Sequence, residues 1–202
     1  LIHEMIKSPA DLLFNGGIGT YIKASTESHE SVGDRVNDAL RVDASQLRCR
    51  VIGEGGNLGL TQLGRIEFSR RGGLCHTDAI DNSAGVDTSD HEVNIKILLS
   101  AAVEANEIDI DERNTLLEAM TDEVALLVLR NNYAQTQALA LAVDRAPSLI
   151  HHHSRAMRQL ERSYGLDREL EYLPGDEEIT ERISRGQGLT RPELAVLLAH
   201  SK

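Results

Sequence analysis

The feature that most constrains the fold is a short β-branched run that ends in glycines. Val51 and Ile52 follow Arg50, and Gly53-Glu54-Gly55-Gly56-Asn57 follows them. β-Branched residues suit a pleated, buried strand, whereas three glycines within four positions let the backbone turn sharply or approach another group closely. The run therefore predicts a short buried strand ending at Gly53. Leu74-Cys75-His76-Thr77 predicts a second short strand closing at Asp78. After it, Asn82, Ser83 and Gly85 are expected in a turn ahead of a long helical pattern. Each strand end then presents an asparagine, Asn57 or Asn82. In open α/β sheets ligands bind at the carboxyl ends of the strands, near helix N-termini, so the two ends form a candidate small-molecule site. A purely conformational reading stands beside it, because glycine turns and Asx caps are common without any ligand.

The flanking chain fits a parallel sheet followed by helices. Leu1 to Lys7 reads as a helix broken by Ser8-Pro9, and Leu12-Leu13-Phe14 as a buried strand. Asn15-Gly16-Gly17-Ile18-Gly19-Thr20 is then a glycine turn whose backbone N–H groups would suit an anion, although its spacing is not GxGxxG and a tight structural turn explains it equally well. Residues 21–48 are polar and poorly periodic, and Arg35 and Asn37 are expected on a solvated or interface surface, with a loop held near the ligand as the other reading. Lys23 stands alone beside the glycine turn, a weak signal for catalysis. Leu60 to Phe68 is an amphipathic connection. Strand, crossover, strand, turn and long helix together suit a parallel sheet. Residues 1–89 are thus read as the C-terminal half of a doubly wound, Rossmann-like α/β domain, and 90–202 as an all-α domain. Val93, Ile97, Leu98 and Ala101 recur at helical spacing from about Asp90. A second helix is expected over Asp111–Val143 and a third from Pro147 to about Tyr164. Thr190, Pro192 and Glu193 spell a capping box at a last helix start. With no Met at position 1 and a helix barely begun at the end, the chain is expected to be a piece of a longer polypeptide.

Composition excludes several classes. Net charge is −11 and aromatics make up 3% of the chain, so it lacks both the basic footprint and the stacking platforms of a nucleic-acid binder. No run approaches a membrane span, and acidity disfavours anionic membrane surfaces. Cys49 and Cys75 lack a CxxC spacing, which points to reduced, buried thiols in a cytoplasmic protein rather than to zinc or a dithiol. His151-His152-His153 cannot converge on one ion from a helix, since adjacent residues point in different directions. No metal site is expected.

The residues at the two strand ends carry a resemblance. Asn82 to Glu92 resembles the segment Asn-Ala-Gly-Gly-Val-Thr-Val-Ser-Tyr-Phe-Glu of glutamate dehydrogenases without gaps, with Asn82, Gly85, Val86, Ser89 and Glu92 identical. Glu54-Gly55-Gly56-Asn57 resembles that family's Glu-Gly-Ala-Asn. The wording from Asp81 to Asn94, and Asn15 to Tyr21, is closer still to the large-subunit bacterial NAD-specific branch. The resemblance implies part of an oxidoreductase that converts L-glutamate and NAD to 2-oxoglutarate, ammonium and NADH, working as a homo-oligomer of the full-length protein. It implies cofactor contacts at Gly55, Gly56, Asn57 and Asn82, with Asn57 at the nicotinamide ribose. It implies substrate contacts at Asn82, Val86 and Ser89, with Asn82 also beside the α-carboxylate. The Ser89 hydroxyl is similar to the one that donates to the γ-carboxylate of glutamate, and such a donor rejects an apolar side chain because it would be left unpaired. The family's catalytic lysine and aspartate belong upstream, so the chain alone is not expected to catalyse.

Departures from the pattern bear on the pocket. Asp87 and Asp90 replace uncharged residues of the smaller hexameric enzymes and would repel a dicarboxylate unless they pair or point away, and Gly59 stands where those enzymes have proline. Ser89 also reads as an N-cap of the following helix. Two other readings stay open: another amino-acid dehydrogenase of the same fold, and a non-enzymatic helical interaction module.

Overall fold

In the computed structural model, which describes residues 1–201, the opening helix is α1 (Ile2–Ile6), and the Ser8 hydroxyl donates to Met5 O (2.7 Å) just past its end. Strand β1 (Leu12–Asn15) follows, then β2 (Ile22–Lys23), the short helix α2 (His29–Val32), β3 (Val42–Asp43) and β4 (Val51–Glu54). Helices α3 (Gln62–Arg70) and α4 (Asp78–Asp81) precede the long helical stretch. That stretch comprises α5 (Ser83–Glu104), α6 (Ile110–Ala119), α7 (Thr121–Asp144), α8 (Ala146–Tyr164), α9 (Asp176–Ser184) and α10 (Arg191–His200). The architecture is α/β, mostly helical, with small parallel strand pairs.

Strands β1 and β4 pair in parallel, in register from Leu12↔Val51 to Asn15↔Glu54, and β2 pairs with β3. The β4 strand falls where the β-branched run predicts it. Two strand expectations are corrected. Leu74 makes a single parallel bridge to Val51, and no strand extends to Thr77. Thr77 O instead accepts from the N–H groups of Ile80 and Asp81, so the backbone is already committed to α4. β1 is not buried on both faces either: Leu12 and Phe14 are exposed, and only the alternate side faces inward.

Contacts divide the chain into two compact units, residues 1–81 together with Gln137 onward, and residues 82–136. The first unit holds two apolar cores. One joins Ile22, Val42, Ile52, Leu60 and Phe68 behind the strands; the other gathers Leu139, Ile150, Met157, Ile179 and Leu194 among the later helices. Helix α8 supplies its share through Ile150, Ser154 and Met157, spaced four and three apart, and closes on Gly165 in the left-handed conformation (φ 72°).

The second unit consists of α5, α6 and the part of α7 up to Thr136. The expected single helix over Asp111–Val143 is broken at Met120, and the Thr121 hydroxyl bonds back to Leu117 O, a contact that bends helices. The long helix expected from Asp90 begins instead at Ser83. Ser89 is therefore not an N-cap but lies within α5, and Gly85 is helical rather than in a turn.

Candidate functional site

The carboxyl end of the β1–β4 pair is a polar rim built on one buried ion pair. Glu54, the last residue of β4, is 1% exposed. Its carboxylate accepts from Arg65 Nε (2.7 Å) and Nη2 (2.8 Å), the two-pronged geometry a guanidinium favours, and from Leu60 N (3.1 Å). Burial opposes the charge on Arg65, but the hydrogen bonds and field of Glu54 more than restore it and hold its pKa above the usual arginine range.

Two more carboxylates, both from α4, brace the same rim. Asp81 Oδ2 accepts from Glu54 N (3.0 Å), while its Oδ1 lies 3.0 Å from His76 Nδ1. His76 Nε2 lies in turn 3.2 Å from Arg191 Nη1, so the ring is held between an acid and a guanidinium. Asp78 Oδ2 accepts from Leu58 N (2.8 Å) and sits 3.4 Å from Arg65 Nη2. Arg65, His76, Asp78, Asp81 and Arg191 escape sequence reasoning, because residues far apart in the chain meet only through tertiary packing.

The glycines of the rim are explained first by close approach. A Cβ on Gly55 would lie 2.5 Å from the Phe14 ring, and one on Gly56 would lie 2.4 Å from Gly17 O. Both glycine turns therefore pack on one another at the end of the β1–β4 pair. Outward, Gly55 and Asn57 are exposed. Asn15 Nδ2 is buried here without an acceptor among the described residues, a donor that a bound group could satisfy. The N–H groups of Gly55 and Gly56 are taken by Asn15 O and that of Leu58 by Asp78, so the rim presents an exposed asparagine side chain and one unmet amide donor rather than a cradle of backbone N–H groups, and it holds no GxGxxG.

Helix α5 orders the second set of candidates. Asn82 occupies its N-cap position, and Val86 and Ser89 follow four and seven residues on, so all three fall on one stripe of the helix. Val86 and Ser89 are exposed and Asn82 is half-buried. The adjacent stripe faces α7: Ser83 donates to Asn132 Oδ1 and accepts from Gln135 Nε2 (2.6 Å), and Asp87 accepts from Asn131 Nδ2 (3.0 Å) and lies 3.5 Å from His91 Nε2. Asp87 keeps its charge but directs its carboxylate to partners on α7 and on its own helix. Asp90 is exposed.

Other singled-out residues have structural roles. Lys23 is buried against Asp43 and donates to Ala24 O (3.2 Å). Asn37 donates to Asp34 (2.7 Å), which also accepts from Thr20 N (2.8 Å). The stretch expected to be solvated contains Arg41, whose buried side chain donates to Thr20 O (2.8 Å) and Asp38 (2.6 Å). Cys49 and Cys75 are free and buried, and burial pushes the Cys75 thiol up to about 12. His151, His152 and His153 lie along α8, and no group of three or more His, Cys, Asp or Glu is arranged to hold a metal among the described residues.

The rim is thus the end of a parallel strand pair carrying two packed glycine turns, with Asn57 on the loop beyond it. Residues 1–142 match the family model of the bacterial NAD-glutamate dehydrogenase catalytic domain, and the chain belongs to that family. The chain is 60% identical, over its whole length, to the NAD-specific glutamate dehydrogenase of Pseudomonas aeruginosa. It is 56% identical to that of Mycobacterium tuberculosis and 53% to that of Halomonas elongata, again over its whole length. It spans 12% of the length of each of these relatives.

Proposed function

We propose that this chain is the nicotinamide-side segment of an enzyme that oxidises L-glutamate, with NAD and water, to 2-oxoglutarate, ammonium and NADH. Bound NAD supplies the hydride acceptor. The chain's own groups bind and orient: Gly55, Gly56 and Asn57 at the cofactor, with Asn57 at its nicotinamide ribose, Asn82 between cofactor and substrate α-carboxylate, and Val86 and Ser89 along the distal part of the substrate. The observation that carries this reading is the single stripe of α5 on which Asn82, Val86 and Ser89 fall, spaced so that one extended ligand can meet all three. The parallel β1–β4 pair and the Leu74 bridge beyond α3 support reading residues 1–89 as the C-terminal half of a doubly wound domain, with 90–202 a helical domain. The names of the relatives support NAD as cofactor and glutamate as substrate. The full-length protein is proposed to be a cytoplasmic homo-oligomer; no described helix is long and apolar enough to cross a membrane.

Ser89→Val in the full-length enzyme tests the substrate assignment. Losing a hydroxyl that donates to a buried carboxylate is expected to lower kcat/KM for glutamate by about 10²-fold or more, while an amino acid with an apolar side chain gains relative to it. Unchanged glutamate turnover would remove Ser89 from substrate recognition.

A further inference from the structure

The loop between β4 and α3 is pinned at both ends and hinged in the middle. At its start, Gly55 N and Gly56 N both donate to Asn15 O (2.8 and 3.2 Å). At its end, Gly59 is buried, and a Cβ there would lie 1.9 Å from Asn15 Nδ2. Between them stand the exposed Asn57 and then Leu58, which takes the left-handed conformation (φ 60°) that a side chain disfavours. Nothing packs Leu58 into that state, since its side chain is 63% exposed. The hold is on its backbone: Leu58 N donates to Asp78 Oδ2 at 2.8 Å. Asp78 is itself fixed, because it lies within 3.4 Å of Arg65 and Arg65 is locked on Glu54. A strained backbone persists only where its surroundings over-determine it, and such strain clusters at ligand clamps.

We propose that Asp78 is a positioning residue for NAD, holding Leu58 in the left-handed state so that the neighbouring Asn57 amide is aimed at the cofactor. The proposal rests on the reading of Asn57 as the residue at the nicotinamide ribose. Asp78 touches neither cofactor nor substrate and acts through the loop backbone.

The test is steady-state kinetics on the full-length enzyme. Asp78→Ala is expected to raise KM for NAD about tenfold and leave KM for glutamate within about twofold. Asp78→Asn keeps an acceptor for Leu58 N and loses the charge beside Arg65, so it is expected to stay within about threefold of the parent. Leu58→Gly added to Asp78→Ala removes the cost of the left-handed state and is expected to recover at least about threefold of the loss, which a general loss of structure would not show. If Asp78→Ala does not fold, Leu58→Val serves in its place: a β-branched residue fits positive φ worst, so KM for NAD rises with Asp78 intact. An unchanged KM for NAD in Asp78→Ala, or in Leu58→Val where that variant stands in for it, overturns the proposal, as do equal effects of the Ala and Asn variants at 78 or no recovery by glycine. Asn57→Ala separates the two layers. If it raises KM for NAD while the Asp78 and Leu58 variants do not, the positioning role falls and the cofactor reading stands; if it changes nothing, both fall.

Discussion

Glu54 and Arg65 carry opposite charges in a space nearly closed to water, and each is the other's principal partner, with Asp78 3.4 Å from the guanidinium as a weaker second. The guanidinium is 5% exposed and the carboxylate 1%. Removing one member of such a pair leaves the other buried and uncompensated, which costs about 3–5 kcal/mol. Glu54→Gln should therefore lower the urea midpoint of this chain markedly, whereas breaking the exposed pair Arg185–Glu181 should cost at most about 1 kcal/mol. His153 offers a second check at this scale. Burial, with a smaller push from the neighbouring His152, lowers its pKa from the ordinary 6.5. Its folded value lies below its unfolded one, so its contribution is fully present above about pH 6.5 and is lost as pH falls toward the depressed folded value. Replacing His153 by Leu should narrow the gap between denaturant midpoints measured at pH 8 and pH 5. Sequence could not supply either feature. The eleven-residue separation of Glu54 and Arg65 matches no local period, and which histidine of three turns inward depends on what α8 packs against.

At the scale of elements, the start of α10 was legible and the start of α5 was not. Cap chemistry is local: Thr190 N donates to Glu193 (2.6 Å), as the spelling Thr-x-x-Glu requires, and the Thr190 hydroxyl donates to the same oxygen (2.7 Å). The same carboxylate also receives Arg182 Nη1 and Nη2 (2.9 and 2.6 Å), an interaction with α9 that the spelling does not contain. Glu193→Ala should consequently cost more than the roughly 1 kcal/mol of a lost cap but stay below the roughly 3–5 kcal/mol of an orphaned buried charge, because Arg182 keeps Glu178 (2.8 Å); thermal or urea unfolding reads the difference. Helix α5 runs the other way. Asn82-Ser83-Ala84-Gly85 reads as a turn by propensity, yet Ser83 and Asp87 find amide partners on α7, and those contacts extend the helix by two turns. The stripe carrying Asn82, Val86 and Ser89 exists because of that extension. The motif named the residues; the helix put them in line.

At the scale of the whole molecule, burial is uneven. Among the described residues, Val128 is the one buried apolar side chain of the unit 82–136, and α5 and α6 have none. Ile97, Leu98 and Leu126 are each more than 60% exposed. A unit of this size needs a substantial core to repay its chain entropy, and this one buries too little apolar surface to do so. A peptide of residues 82–136 should therefore show helical circular dichroism without a cooperative thermal transition; a sharp two-state melt would contradict this account. What the sequence by itself determined was local: the β-branched strand at Val51–Ile52, the glycine turns, the α8 stripe and the α10 cap, all set by steric preference and hydrogen bonds a few residues apart. Tertiary structure alone decided which carboxylates brace the rim, where α5 begins and which faces lie bare, because each depends on burial and charge compensation between residues that only folding brings within a few ångströms.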